Sequence, residues 1–168
     1  MRPPRIVGLR VQLGLAIALA LAVVSTAAQA QTFAVALDGL QENPSISTAA
    51  FGLFIVTIAD DEQSLTAQLT YNPLEGGMVL AAHIHVAREF VNGGIVINLC
   101  GAGGKPPCPT PSGEVTATVT AADVVDLADQ GIAAGELAEV IRTMRRGATY
   151  VNVHSTAFPG GEIHGQIR

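Results

Sequence analysis

The stretch YVNVHS, residues 150–155, alternates polar and apolar side chains and decides the fold class. Successive side chains of an extended strand point to opposite faces. Tyr150, Asn152 and His154 therefore share one face, and the two valines between them share the other. The stretch predicts a β-strand with one polar and one apolar face.

Short runs with the same period of two occur throughout the chain. Each is about five to eight residues long and is bounded by Gly, Pro, Asn or Asp, which is typical of strands separated by turns. Residues 60–63, DDEQ, indicate a hairpin tip between two such runs. The pattern predicts an all-β fold, an antiparallel sandwich or barrel. The alternating apolar sets are Phe33-Val35-Leu37, Phe51-Leu53-Ile55, Leu65-Ala67-Leu69, Ile95-Ile97-Leu99 and Val115-Ala117-Val119.

One segment departs from the period of two. Thr120 and Asp123 have the spacing of a capping box, which predicts a short helix that runs to about Ala128. An apolar stripe at helical spacing then predicts a second helix that ends before Gly147. We therefore expect one or two short helices inserted before the last two strands. The stripe consists of Leu137, Val140, Ile141 and Met144.

The first thirty residues predict a secretory signal peptide. Three arginines precede an apolar stretch, residues 13–24, that is shorter than the roughly 20 residues of a membrane span. Ala28-Gln29-Ala30 then fits the small-x-small pattern before a cleavage site. An uncleaved membrane anchor is the alternative. We expect residues 1–30 to be removed, leaving a secreted or periplasmic domain over residues 31–168 with no membrane span.

Charge and composition disfavour several classes of partner. The chain has 9 Lys and Arg against 14 Asp and Glu, and signal cleavage would remove three of the arginines, for a net charge of −8. Nucleic-acid sites need a basic surface, so we expect no nucleic-acid partner. Tryptophan is absent, which disfavours a stacking platform for sugars. No Ser-His-Asp order or nucleotide fingerprint indicates hydrolase or nucleotide chemistry.

Cys100 and Cys108 bracket the short loop GAGGKPP. In an oxidising compartment such a pair predicts a disulfide that pins the loop. A redox or copper-binding thiol pair is the alternative. It is disfavoured because Lys105 is the one nearby cation in the sequence that would lower a thiol pKa.

The histidines are the candidate functional residues. All four lie in three strand-like phrases, AAHIHV with His83 and His85, YVNVHS with His154, and GGEIHGQI with His164. His83 and His85 share a strand face with Cα atoms roughly 6.5–7 Å apart, so both imidazoles can reach one metal ion. If the three polar faces coincide, the four histidines are candidate metal ligands.

Two hypotheses for these histidines remain open. Imidazoles suit copper, zinc, nickel or iron, and outside the cytoplasm copper is the cofactor we expect if a metal is bound. Asn152 and Glu162 would then accept hydrogen bonds from imidazole N–H groups. Alternatively, the histidines are hydrogen-bonded structural residues of their strands.

The motifs, in their order along the chain, resemble the CHRD domain, a module named from chordin that also occurs in secreted bacterial proteins. The resemblance covers nearly all of residues 31–168 and implies an all-β extracellular module with no established catalytic activity. His164 stands where that family usually has Arg, so we rank the other three histidines above it as ligands. The matching phrases are FAVALDG (33–39), QENP (41–44), AFG (50–52), LTY (69–71), AHIH (82–85), LCG (99–101), YVNVH (150–154) and FPGGEI (158–163).

A second resemblance, to copper-zinc superoxide dismutases, rests on His83-Ile84-His85. It implies a copper enzyme, but no counterpart of the bridging histidine, the zinc-site aspartate or the active-site arginine can be located. We therefore expect a non-catalytic module with a structural or partner-binding role, its partner being an unidentified extracellular protein or a metal ion. A periplasmic metal-binding protein is the second hypothesis and a dismutase-like enzyme the third.

Overall fold

Eight antiparallel strands form one sheet that curls into a nearly closed barrel. The computed structural model describes residues 30–168, so the predicted signal peptide lies, but for its last residue, outside the described residues. The strand order is β5-β4-β7-β8-β1-β2-β3-β6, which confirms the predicted antiparallel all-β fold. The strands are β1 Gln31–Asp38, β2 Phe51–Ile58, β3 Ser64–Tyr71, β4 Val79–Val86, β5 Gly94–Cys100, β6 Gly113–Thr120, β7 Thr149–Ser155 and β8 Ile163–Ile167.

The sheet consists of two four-stranded halves that meet at two seams. At the first seam β1 and β8 share one residue pair, Asp38 with His164. At the second seam the chain beyond β6 bridges to the other edge strand. Val124 pairs with Ile97 of β5, and the next residue donates a backbone hydrogen bond to the carbonyl of Val96 at 3.0 Å. This bridging segment nearly closes the barrel.

Apolar side chains from both halves fill the barrel interior. Phe54, Leu69, Ile84 and Val151 are among the buried residues of one continuous core. Helix α1, Leu137–Arg145, packs against that core through the four residues of the predicted apolar stripe, all of which are buried. The predicted helix before the last two strands is therefore confirmed.

The segment after β6 is less helical than the capping-box pattern predicts. Asp123 accepts hydrogen bonds from the backbone N–H and the hydroxyl of Thr120, at 2.8 and 3.1 Å. The helical turn is nevertheless a single 3₁₀ turn, Ala121–Asp123, and a second one follows at Ala128–Gln130. The prediction of one helix to Ala128 is wrong because Val124 is extended where it pairs with β5.

In strand β2 the alternating apolar residues noted in the sequence face solvent rather than the core. Phe51 and Leu53 are 61% and 45% exposed, whereas Phe54 and Val56 are fully buried. The sequence FGLFIVTI is apolar on both faces, so its period of two locates the strand without deciding which face is inward. The predicted hairpin tip at residues 60–63 does connect β2 to β3.

Cys100 and Cys108 form the predicted disulfide, with Cα atoms 5.1 Å apart. Cys100 is the last residue of β5, so the bond fixes the loop that leaves this edge strand. Both cysteines are buried against the core. Within residues 30–168, no helix is both long enough and apolar enough to span a membrane.

We expect the double variant Cys100→Ser/Cys108→Ser to lower the free energy of unfolding by about 2–3 kcal/mol, because the short closed loop restricts the unfolded chain. Urea denaturation of the oxidised protein and of the variant measures the difference. Wild-type protein kept in reductant is the control and should match the variant. Equal stability of the oxidised protein and the variant would contradict this prediction.

Candidate metal centre

A row of polar residues crosses three neighbouring strands on the face opposite the core. In the register of the sheet His83 of β4 pairs with Asn152 of β7, which in turn pairs with His164 of β8. The alternate residues of these strands, such as Ile84 and Val151, belong to the core. The polar faces expected from the sequence therefore lie side by side in one sheet.

This polar face is covered rather than exposed. All four histidines are less than a tenth exposed. The segments after β4 and after β7 contact the rings directly, through the carbonyl oxygens of Gly93 and Pro159. Buried polar groups must be hydrogen-bonded or must have another partner, so each ring nitrogen has to be accounted for.

Three of the four histidines converge. One nitrogen each of His83, His85 and His154 can be chosen so that all three atoms lie within 4.8 Å of one another. The closest approach is 3.0 Å, between Nδ1 of His83 and Nε2 of His154. The ring centroids of His83 and His85 are 5.6 Å apart, as expected for alternate residues of one strand.

The hydrogen bonds of these rings determine which nitrogens carry a lone pair. Nδ1 of His85 and Nδ1 of His154 each lie 3.0 Å from a carbonyl oxygen, that of Gly93 and of Pro159 respectively. A carbonyl oxygen only accepts, so both Nδ1 atoms carry the hydrogen and donate it. Nε2 of each ring therefore carries the lone pair, and that of His154 accepts a hydrogen bond from Nδ1 of His83. Nε2 of His83 and Nε2 of His85 are buried without a hydrogen-bond partner.

The surroundings hold these imidazoles in the neutral form. Burial, together with the smaller effects of the neighbouring His154 and His85, lowers the pKa of His83 to about 4. Burial also lowers the pKa of His85 and of His154, although the Gly93 and Pro159 carbonyls and the carboxylate of Glu42 act in the opposite direction. Neutral imidazole is the form that binds metal ions.

His164 lies apart from the other three histidines. The ring of Tyr150 stacks between His85 and His164, with centroid distances of 4.7 Å and 4.2 Å. The hydroxyl of Tyr150 accepts a hydrogen bond from the Gly93 N–H at 3.2 Å. The structure therefore places His164 one aromatic ring away from the three-histidine cluster, beside Glu42.

Asn152 and Glu162 occupy different positions. Asn152 lies between two histidines in the sheet, and its Oδ1 is buried without a partner. The carboxylate of Glu162 instead accepts hydrogen bonds from the N–H groups of Glu75 and Gly76, at 2.7 and 3.0 Å, and from the hydroxyl of Thr48 at 3.0 Å. The Nδ1–H groups of His85 and His154 donate to backbone carbonyls instead, and the contacts of Glu162 hold the segments before β2 and after β3.

Glu42 is the residue of this region that the sequence analysis missed as a site residue. Its side chain is about 5% exposed, and Oε2 lies 3.7 Å from Nδ1 of His164. Its Oε1 is buried without a hydrogen-bond partner. Glu42 precedes an irregular segment rather than lying on a strand, so no periodicity points to it. Its presence in the QENP phrase of the family resemblance was the available signal.

We expect the metal-free protein to lose stability as the pH falls from about 6.5 to 4. The lowered pKa of His83 means that the unfolded chain takes up a proton at a pH where the folded protein does not. The stabilisation that His83 provides is therefore fully present above the pKa of His83 in the unfolded chain. Its loss at low pH amounts to at most about 3 kcal/mol. Urea denaturation at several pH values in chelator measures this loss.

The variant His83→Gln is the control for that series. It should show a shallower dependence of unfolding free energy on pH than wild type, whatever its stability at neutral pH. An unchanged slope would contradict the assignment of a buried neutral imidazole at position 83.

Comparison with known proteins tests the family resemblance. A model of the CHRD domain family matches residues 33–167. Comparisons with curated proteins and with solved structures give no significant match. The matched range extends from β1 to the last residue of β8, and so includes every histidine and Glu42. The chain therefore belongs to the CHRD domain family.

Proposed function

We propose that this CHRD domain is an exported metal-binding module that holds one copper ion through His83, His85 and His154. The observation that carries the proposal is the convergence of three buried imidazoles whose ligand atoms lie within 4.8 Å of one another. Two of them have a buried nitrogen without a partner. A metal ion at the cluster would satisfy the Nε2 lone pair of His85, for which the described residues offer no donor.

The chemistry of the three rings fits such an ion. Histidine ligands typically donate the second ring N–H to a carbonyl or carboxylate, which fixes the tautomer, and His85 and His154 do this to Gly93 and Pro159. Metal–nitrogen distances are about 2.0 Å, so two nitrogens 3.0 Å apart, as in His83 and His154, can share one ion. Binding would replace the hydrogen bond between these two rings, and the hydrogen of His83 would move from Nδ1 to Nε2.

Copper is the proposed metal because all three donors are imidazoles and both cysteines are joined in a disulfide. Imidazole donors suit copper, zinc, nickel and iron, and copper binds most tightly of the divalent ions in this series. The proposed export rests on the signal-like residues 1–30 and on the disulfide, which is typical of oxidising compartments.

We propose binding without turnover. Catalytic metal sites keep an open coordination position for water or substrate. Three histidine ligands would leave such a position, but all three are less than a tenth exposed, so a substrate has little access to it. Dismutase-like activity therefore stays the third hypothesis, and an assay of copper-loaded protein would test it.

A second candidate function is a partner-binding module in which the histidines are structural. The observation that favours it is a group of exposed apolar side chains at the edge of the covering segments. Leu40 and Phe90 are 72% and 74% exposed, and both border a cleft that has His164 in its wall. In this hypothesis the folded protein binds no metal ion at the cluster, and the hydrogen bond between His83 and His154 is part of the functional structure. The partner is an extracellular protein.

Titration of the mature domain, residues 31–168, with copper and zinc distinguishes the two functions. We expect about one equivalent of copper to stay bound after desalting, and to be lost in the variant His83→Ala/His85→Ala. The matched control is His164→Ala, which removes a buried histidine outside the cluster and should retain the metal. Metal analysis by mass spectrometry gives the stoichiometry.

Thermal unfolding with and without chelator completes the experiment. If the histidines are ligands, the double variant should lose mainly the stabilisation that copper adds to wild type. A folded wild-type protein that retains no metal, with a variant that is equally destabilised in chelator, would overturn the metal proposal and favour the structural role.

A further inference from the structure

Glu42 is a buried carboxylate that the fold leaves poorly satisfied. Its side chain is about 5% exposed, and its Oε1 has no hydrogen-bond partner. Glu162, the other buried carboxylate of this face, accepts three hydrogen bonds from well-placed donors. An ionised carboxylate that is buried without such donors is costly unless a cation lies nearby.

The structure holds the Glu42 carboxylate close to the polar row. Gly161 has φ of +130°, and a Cβ atom at that position would lie 2.1 Å from Oε1 of Glu42 and 2.8 Å from Nδ2 of Asn152. The Glu42 carboxylate and the Asn152 side-chain amide therefore both lie close to the Gly161 backbone. Asn152 is in turn the register partner of His83. The carboxylate is thus one side chain away from the three-histidine cluster.

The placement of Glu42 has an electrostatic consequence. A carboxylate buried beside the three-histidine cluster favours a positive ion bound there, because opposite charges attract strongly where little water screens them.

We propose that Glu42 is the charge partner of the metal ion and that it makes the three-histidine site selective for a divalent over a monovalent ion. This inference rests on the proposed function. Three neutral imidazoles carry no charge and accept Cu(I) as well as Cu(II). A fixed carboxylate outside the ligand set attracts a dication twice as strongly as a monocation at the same distance. Glu42 is a positioning and charge-compensating residue, and the histidines remain the ligands.

A structural ion pair between Glu42 and His164 is the competing explanation. Oε2 of Glu42 lies 3.7 Å from Nδ1 of His164, beyond hydrogen-bond distance, and that Nδ1 also lacks a hydrogen-bond partner. An ion pair predicts that removal of the Glu42 charge destabilises the metal-free protein. The charge-partner role predicts that the metal-free protein is as stable as wild type or more stable, because an unfavourable buried charge has been removed.

The test is the affinity of the variant Glu42→Gln for divalent and monovalent copper, measured by competition with chromophoric chelators of each oxidation state. We expect the affinity for Cu(II) to fall by roughly 10–100-fold, the usual effect of a group that supports the ligands, and the affinity for Cu(I) to fall clearly less. Glu42→Asp keeps the charge and should restore most of the Cu(II) preference.

Glu89→Gln is the matched control, because it removes the same charge from an exposed residue that pairs with Arg168. It should leave both affinities unchanged. Thermal unfolding of Glu42→Gln in chelator supplies the structural readout.

Three results would overturn the inference. If wild-type protein binds copper but Glu42→Gln has the same ratio of Cu(II) to Cu(I) affinity, the proposed function stands and the role of Glu42 fails. If the ratio is unchanged and the metal-free variant is also less stable, the ion pair with His164 is the correct explanation. If wild-type protein binds neither ion, the proposed function and this inference fail together.

Discussion

The antiparallel pairing of β7 with β4 on one side and β8 on the other is the constraint on which this molecule depends. It aligns His83, Asn152 and His164 in one row and places the intervening apolar residues in the barrel. A shift of one residue in either register would turn every side chain of the shifted strand to the opposite face. The core and the polar face are therefore specified together, because any register that buries the valines of β7 also turns its polar side chains to the face that holds the other histidines.

The polar groups of a covered sheet face need hydrogen-bond partners, and here backbone atoms of the covering segments provide several of them. The Gly93 and Pro159 carbonyls accept from two of the imidazoles, and the Gly93 N–H donates to the Tyr150 hydroxyl. Irregular segments can provide such partners because their carbonyl and N–H groups are not used by a sheet ladder. Among the described residues, eight buried side-chain atoms have no partner, and five of them, on His83, His85, His164, Asn152 and Glu42, fall in this region. The other three are on Thr149, Ser155 and Gln166.

Much of the fold followed from the sequence because alternation and helical spacing report burial directly. The strands of the polar face, the stripe on α1 and the disulfide were all predicted at the correct positions. The position of strand β2 was predicted but the face that it buries was not, since both of its faces are apolar. The turn after Thr120 was predicted as a longer helix because the pairing of Val124 with β5 is a tertiary contact that no local pattern encodes.

The site was predictable where it lies on strands and not where it lies on loops. His83 and His85 share a face by the period of two, and His154 follows from the same rule. The separation of His164 by the Tyr150 ring depends on how neighbouring strands stack their side chains. Glu42 comes from an irregular segment far along the chain from any histidine, so its approach to Asn152 exists only in the folded molecule.

The bridging segment beyond β6 has a consequence for how this chain behaves among its copies. An open sheet edge offers unpaired N–H and C=O groups to any extended strand, and natural β-proteins protect such edges to prevent aggregation. Val124 and the residue that follows it occupy part of the outer edge of β5, and the disulfide fixes the end of that strand. The two features together turn part of a potential template for intermolecular strand addition into an internal contact.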